Sequence, residues 1–153
     1  RTYVSFTQVD TDLEVYIPDS YVTNIGERYN LYNQLAELKD ENEIIAFEKE
    51  LRDRFGPVPP SVKELMNTLR LQWYGKKIGF EKISYKKNIL RGYFVSNKKS
   101  PYFESEQFGR VLQFVQQNPS ICNLKEVKGS LRIGFERIQS VDEAVLLLQE
   151  LVN

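Results

Sequence analysis

The chain has 153 residues, of which 41% are hydrophobic and 12% aromatic, so it is long enough and apolar enough to fold around a core of its own. Its 21 basic and 21 acidic residues cancel, which removes any global electrostatic reason to expect a nucleic acid, a membrane or a strongly acidic partner. It has no histidine and a single cysteine, which excludes His-dependent catalytic triads, the usual zinc sites and an internal disulfide.

Three further features bear on where the protein works. Because Cys122 is the only cysteine, the sequence favours a reducing compartment, and we expect a cytoplasmic location. No run approaches the roughly 18 apolar residues that a membrane span needs, and there is no signal peptide pattern. The first residue is Arg1 and the only methionine is Met66, so we expect the chain to be a piece of a longer protein.

We predict no catalytic residue, no metal site and no cofactor in this chain. A phosphate-binding G-x-x-x-x-G-K-[ST] loop is absent, because Gly75-Lys76-Lys77 lacks both the preceding glycine and the following hydroxyl. Hydrolysis by paired carboxylates stays chemically possible, but nothing in the sequence singles out two acids in one pocket. We therefore expect the chain alone not to be an enzyme.

The first predicted element, in chain order, is extended. Leu13, Val15 and Ile17 alternate with Asp12, Glu14 and Tyr16, and Pro18 ends the segment. Such a segment can pair with a sheet or form the end of a linker. We assign residues 1–18 as an extended lead-in from a preceding domain.

Two amphipathic helices are predicted next. The first covers roughly residues 22–38, and its predicted apolar face consists of Ile25, Tyr29, Tyr32 and Ala36. The second begins after Asp40, which forms a capping box with Glu43, and it ends at Gly56-Pro57. Its predicted buried face consists of Ile44, Phe47, Leu51 and Phe55.

A third helix is predicted to begin near Pro60 and to end at Gly79. Its predicted buried stripe consists of Val62, Leu65, Leu69 and Trp73. We expect the second and third helices to share one core, formed by Phe47, Leu51, Phe55, Leu65, Leu69 and Trp73.

The second half of the sequence alternates hairpins and helices. Segments 81–86 and 89–96 flank a Lys87-Asn88 turn, and a later hairpin turns at Lys128-Gly129. A helix between the hairpins carries Phe108, Val111, Leu112 and Val115 on its predicted buried face. A last helix is capped by Ser140 with Glu143 and carries Ala144, Val145, Leu148 and Leu151.

These elements predict an α+β fold, with a helical N-terminal half packed with a small antiparallel sheet that is flanked by helices. No low-complexity linker separates the halves. We therefore predict that residues 19–153 form a single C-terminal regulatory domain after the lead-in.

Charge is distributed unevenly along the chain. Residues 10–60 have twelve acidic and five basic side chains, whereas residues 75–99 have eight basic side chains and one acid. The basic stretch includes Tyr85, Tyr93 and Phe94, a mixture that nucleic-acid-binding surfaces use. Because neighbouring strand residues point to opposite faces, Tyr93 and Phe94 cannot form one platform. A stand-alone module that binds nucleic acid or a polymerase through the Lys-rich stretch 76–99 is our alternative hypothesis.

Glu50 and Asp53 are the candidate binding residues. They lie about 60° apart on the outer side of the second helix, and together they could accept hydrogen bonds from arginines of a partner. The alternative is intrahelical, because Glu50 with Arg54 and Lys49 with Asp53 are i, i+4 ion pairs. Carboxylates at a helix C-terminus oppose the helix dipole, a local conflict that is compatible with a binding role.

The run from Glu50 to Pro59, ELRDRFGPVP, resembles the E-L-x-D-R-F-G-x-x-P signature of the C-terminal domain of bacterial transcription-repair coupling factors. Upstream, Ile17-Pro18-Asp19-Ser20-Tyr21 resembles the family's I-P-x-x-Y segment, and Arg28 to Leu38 resembles its R-L-x-x-Y-x-x-L helix, with Tyr29 at the usual leucine. The resemblance covers roughly residues 15–85, and Trp73-Tyr74-Gly75 departs from a position where the family usually has a small residue.

The resemblance implies a role for this domain in a larger protein. The parent would be an ATP-driven double-stranded DNA translocase that displaces stalled RNA polymerase and recruits UvrA for nucleotide excision repair. The domain would dock on the N-terminal repair-recruiting module of the same chain, cover its UvrA-binding surface and restrain the protein. The resemblance gives Glu50 and Asp53 the contacts with arginines of that module, and we expect Arg54 to orient Glu50.

Overall fold

The structure, a computed structural model, describes residues 2–152. Within that range the chain forms five α-helices and one five-stranded mixed sheet, which confirms the predicted α+β class. The helices are α1 (Ile25–Glu37), α2 (Glu41–Phe55), α3 (Pro60–Ile78), α4 (Glu106–Gln117) and α5 (Val141–Leu151). The strands are β1 (Gln8–Thr11), β2 (Phe80–Lys86), β3 (Ile89–Phe94), β4 (Cys122–Val127) and β5 (Ser130–Phe135). None of the helices in this range is long and apolar enough to cross a membrane.

The described chain divides into two compact units, where the sequence predicted one over residues 19–153. The helical unit comprises residues 13–70, and the sheet unit comprises the residues up to Asp12 together with those from Leu71 onward. The division after Asp12 separates β1 from the segment that follows it, and the division after Arg70 falls within α3. The assignment of residues 1–18 as a lead-in from a preceding domain stays a prediction.

The sheet has the strand order β1-β2-β3-β5-β4. The two predicted hairpins, β2-β3 and β4-β5, are antiparallel and are joined through β3 and β5. The predicted turn residues Lys87 and Asn88 both have positive φ angles, the backbone conformation of a tight hairpin turn. The extended N-terminal segment contributes only β1, which runs parallel to β2 and ends before the alternating residues 13–17.

The core of the sheet unit lies between one face of the sheet and helices of the same unit. Buried side chains of β2, β3 and β5, such as Ile83, Leu90 and Ile133, form one cluster with Val111 of α4 and Leu148 of α5. The α4 face differs slightly from the prediction, because Phe108, Val111 and Phe114 are buried whereas Leu112 is exposed. Ser140 caps α5 as predicted, since its side chain accepts a hydrogen bond from the Glu143 amide.

The predicted apolar face of α1 is wrong. Ile25 and Tyr29 are 76% and 68% exposed, whereas Leu31 and Leu35 are buried. Both sets of residues have helical spacing, so α1 has two apolar arcs, and periodicity alone cannot select the one that packs. The side chains of the two leucines have no polar atom that needs a hydrogen-bond partner when buried, whereas each tyrosine side chain has a hydroxyl that does.

The predicted stripe of α3 and the shared core also need correction. Leu65, Leu69 and Trp73 are half-buried, and the fully buried side chains are Val62 and Met66 in the helical unit and Leu71 and Ile78 in the sheet unit. A helix that supplies residues to two units does not bury a single continuous stripe. In α2, Phe47 and Leu51 are buried as predicted, but Phe55 is only half-buried.

Candidate docking site

The C-terminal part of α2 carries the two candidate carboxylates. Asp40 begins this helix as predicted, because its side chain accepts a hydrogen bond from the Glu43 amide at 2.9 Å. The side chains of Glu50 and Asp53 are 49% and 67% exposed. Because the opposite arc of α2 is buried, both carboxylates lie on the accessible side of the helix and can be reached by a partner.

Both carboxylates also take part in the intrahelical pairs that the spacing predicts. Lys49 Nζ lies 3.8 Å from Asp53 Oδ2, and Arg54 Nη1 lies 3.6 Å from Glu50 Oε1. At these distances and this exposure an i, i+4 pair contributes only about 0.3–0.5 kcal/mol. The two acids are therefore held weakly by their own helix, and a partner can replace Lys49 and Arg54 at small cost.

Arg54 has a second acidic partner that sequence spacing does not reveal. Its Nη2 lies 3.0 Å from Oε2 of Glu27 in α1, which is closer than its contact with Glu50. The guanidinium also lies 4.7 Å from the centre of the Phe55 ring. Arg54 thus links α1 to the end of α2 within the helical unit, in addition to its predicted contact with Glu50. No local pattern identifies Glu27, because it is far from Arg54 in the sequence.

Tyr21 fixes the backbone where α2 ends. Its hydroxyl lies 2.8 Å from the Gly56 carbonyl oxygen and 3.2 Å from that of Leu51, both of which are acceptors. Its ring centre lies 5.8 Å from that of Phe55. Burial raises the pKa of the Tyr21 hydroxyl, so it remains a donor at neutral pH. Gly56 has a φ of 88°, a conformation that favours glycine at this end of the helix.

The Lys-rich stretch 76–99 is spread over α3, β2, β3 and two loops, and within it Lys82, Lys86 and Arg91 share one face of the sheet. Lys76 and Lys77 belong to the last turn of α3, Lys87 lies in the β2-β3 turn, and Lys98 lies in the loop after β3. The others are distributed along β2 and β3 and in the same loop. Over residues 2–152, no group of three or more His, Cys, Asp or Glu side chains is arranged to hold a metal ion.

The chain is similar to known proteins over much of its length. A family model described as TRCF domain matches residues 11–105. Curated relatives include the transcription-repair-coupling factors of Escherichia coli (strain K12), 31% identical over 77 residues, and of Buchnera aphidicola, 30% identical over 133 residues. These alignments cover 50% and 84% of this chain. They cover only 7% and 15% of the relatives, so the chain spans a small part of their length.

A solved structure has the same fold. The crystal structure of the C-terminal domain of transcription-repair coupling factor superimposes with a TM-score of 0.74 at 16% identity, and the match covers 95% of this chain and 91% of that one. The family match includes both Tyr21 and the run from Glu50 to Gly56, which the structure joins by a hydrogen bond. The chain belongs to the TRCF domain family, whose members include the C-terminal domain of bacterial transcription-repair coupling factors.

Proposed function

We propose that this chain is a non-catalytic regulatory domain of a transcription-repair coupling factor, and that it docks through Glu50 and Asp53 on the N-terminal module of the same protein. Its role is inhibitory: while docked, it covers the UvrA-binding surface of that module and restrains the motor. The observation that carries this proposal is the pair of exposed carboxylates at the end of α2, whose ion pairs with described residues are long and exposed.

A weak interface is sufficient for such a lock. Two modules of one chain meet at an effective concentration on the order of millimolar, so an interaction that is weak between separate proteins is sufficient to keep them closed. Removing one member of a desolvated charge pair costs roughly 2–5 kcal/mol, which is enough to move a closed state toward an open one. The same weakness allows release when another partner competes for either surface.

Arginines are the chemistry that fits the site. An arginine presents several N–H donors in one plane and can bind a carboxylate with two hydrogen bonds. The carboxylates of Glu50 and Asp53 lie one helical turn apart, so two arginines of a partner can each take one of them. Arg54, which already binds Glu27 and Glu50, positions the Glu50 carboxylate beside the partner.

The remaining functions belong to the parent protein. We propose that the parent is an ATP-dependent translocase on double-stranded DNA that displaces stalled RNA polymerase and recruits UvrA in the bacterial cytoplasm. ATP is bound by the parent's motor, and this domain contributes no cofactor site and no catalytic residue. A chain without histidine and without a phosphate-binding loop supports this division of labour.

Binding between this chain and the separately produced N-terminal module tests the proposal. The variant Glu50→Gln with Asp53→Asn removes both charges and keeps both shapes, and we expect it to weaken binding at least about tenfold, which corresponds to 1.4 kcal/mol. In the full-length protein the same change should raise ATPase activity and translocation and should increase UvrA binding.

The matched control neutralises two other exposed acids of the helical unit, Asp19→Asn with Glu37→Gln, which form no ion pair with a residue that the structure describes. It removes the same charge, so it reports the effect of net charge alone. Equal weakening by the two variants would contradict a specific role for the end of α2, and unchanged full-length activity would contradict the inhibitory role.

A further inference from the structure

The face of the sheet opposite the core carries a row of basic side chains that crosses four strands. Lys82 of β2 is paired with Tyr93 of β3, Tyr93 is paired with Arg132 of β5, and Arg132 is paired with Lys125 of β4. Directly paired residues of neighbouring strands have their side chains on the same face. The structure therefore brings together three cations and one aromatic ring that lie far apart in the sequence.

These cations are not held in ion pairs with described residues, although the pKa of the Asp10 carboxyl group is lowered by Lys86 and, to a smaller extent, by the nearby Lys82. Lys125 and Arg132 are directly opposite one another, an arrangement of like charges that destabilises a sheet. None of Lys82, Lys125 and Arg132 forms an ion pair with a residue in the described range 2–152. Lys82 Nζ lies 5.4 Å from the centre of the Tyr93 ring, so the two are already in contact. Repulsion between like charges that the fold does not relieve is typical of a surface that binds a ligand of opposite charge.

The side chains around this row are also mainly basic. Arg91 follows in the next row of the same face, paired with Ser84 on one side and Gly134 on the other. The acids that share the face are Asp10, Glu81 and Glu136, because the register shift between Phe80 and Lys82 places Glu81 on the same side as Lys82. The Glu81 carboxylate accepts a hydrogen bond from the Ser96 amide. Asp10 is already bound to Lys86 at 2.9 Å, and Glu136 follows the last residue of β5. Positive charge still exceeds negative charge on this face, because five cations (Lys82, Lys86, Arg91, Lys125 and Arg132) stand against these three acids.

The ring at the centre of the row distinguishes between anionic partners. Neighbouring strands are about 4.8 Å apart, so the row from Lys82 to Lys125 extends over about 14 Å, a length on which sheet-based binders place about two or three nucleotides. The whole face is about 19 Å wide. The major groove of duplex DNA is about 12 Å wide and too narrow for it. An acidic protein would use the cations but not the aromatic ring.

We propose that the open face of the sheet binds single-stranded nucleic acid. The phosphates lie along Lys82, Arg132 and Lys125, and one base stacks on Tyr93, from which the Lys82 ammonium moves to a phosphate. Arg91, in the next row, contacts the phosphate backbone of the nucleic acid as well. This surface uses the sheet unit, whereas the proposed docking site uses the helical unit, so the two proposals are tested independently.

Fluorescence anisotropy with a labelled oligothymidylate of about 20 nucleotides tests this proposal on the 153-residue chain. With three phosphate contacts, the slope of log K against log salt concentration should be about −2. The variant Lys82→Gln, Lys125→Gln, Arg132→Gln should bind at least about tenfold more weakly and lose most of the salt dependence. Circular dichroism confirms that the variant is folded.

The matched control replaces three exposed lysines outside the sheet, Lys39, Lys63 and Lys99, by glutamine and should bind within about twofold of the original chain. Tyr93→Val should weaken binding about tenfold, while Tyr93→Phe, which keeps the aromatic face, should not change it. Loss of binding in the lysine control equal to that in the row variant would overturn the proposal. So would the absence of binding at low salt, tighter binding of duplex of the same length, or equally strong competition by polyglutamate, which would indicate an acidic protein as the partner.

Discussion

The hydroxyl of Tyr21 lies 2.8 Å from the carbonyl oxygen of Gly56, and this hydrogen bond joins the two sequence segments by which the family is recognised. Tyr21 ends the Ile17–Tyr21 segment, and Gly56 ends the helix that carries Glu50 and Asp53. The hydroxyl also lies 3.2 Å from the Leu51 carbonyl oxygen, so its single proton is shared between two acceptors at the end of α2. Tyr21 is therefore a positioning residue for the docking site.

Replacing Tyr21 by phenylalanine should lower the free energy of unfolding by about 0.5–1.5 kcal/mol, because it removes the hydroxyl and leaves the ring contact with Phe55 in place. Urea denaturation followed by circular dichroism measures the change. Tyr29→Phe is the control, since Tyr29 is 68% exposed, and it should have almost no effect. An equal loss in both variants would show that the Tyr21 hydroxyl does not stabilise the end of α2.

Replacing Gly79 by alanine should destabilise the chain by about 2–5 kcal/mol, because of its backbone conformation and because of crowding. Gly79 has a φ of 109°, and an added Cβ would approach the ring of Tyr102, whose hydroxyl is fixed 2.7 Å from the Ile78 carbonyl. Thermal unfolding and the soluble yield measure the effect.

The matched change in α4 should have the opposite sign. Gly109 is exposed within a helix and an added Cβ meets nothing within 4 Å, so Gly109→Ala should stabilise the chain by about 0.5–1 kcal/mol. If the two substitutions had similar effects, the tight packing between Gly79 and Tyr102 would be refuted.

The double variant Glu50→Gln, Asp53→Asn should leave the melting temperature of the isolated chain almost unchanged. It removes two solvent-exposed ion pairs, and such pairs contribute about 0.3–0.5 kcal/mol each before screening by salt. Differential scanning calorimetry at low and physiological salt measures the change. A drop of several degrees would instead assign these carboxylates to the stability of α2 and would favour the intrahelical interpretation.

The link between β1 and β2 should weaken in acid. A hydrogen bond from Lys86, at 2.9 Å, holds the pKa of Asp10 below its ordinary value, and burial opposes this effect. Because the folded-state pKa is lowered, the contribution of Asp10 to stability is complete above its ordinary pKa and is lost as the pH falls through the lowered value. Carbon-detected NMR titration of the Asp10 carboxyl group measures the midpoint.

The partner of Asp10 provides the control. Replacing Lys86 by glutamine removes the positive charge while keeping a hydrogen-bond donor, so the pKa of Asp10 should rise toward its ordinary value. A midpoint that does not change in this variant would show that Lys86 is not the cause of the shift.

The sequence alone determined the type and the ends of most elements, because these depend on interactions within a few residues. Asp40 and Ser140 cap their helices through amides three positions ahead, Gly79 provides the left-handed residue that ends α3, and the Lys87-Asn88 turn closes the first hairpin. The signature run from Glu50 also identified the family before any contact was known. Local patterns did not predict the parallel pairing of β1, the absence of a strand at residues 13–17 or the 3-10 turn at Pro101–Glu104.

The tertiary structure decided which surfaces are buried and which residues meet. On α1, Leu31 and Leu35 are buried rather than Ile25 and Tyr29, and the buried residues of α3 belong to two different units. Which apolar face packs depends on the neighbouring segments, and a local sequence pattern does not describe those. The contact of Arg54 with Glu27, the hydrogen bond from Tyr21 to Gly56 and the row from Lys82 to Lys125 all depend on how distant segments pair. Periodicity assigns a residue to a face, but only the order and register of the strands bring those faces together as one surface.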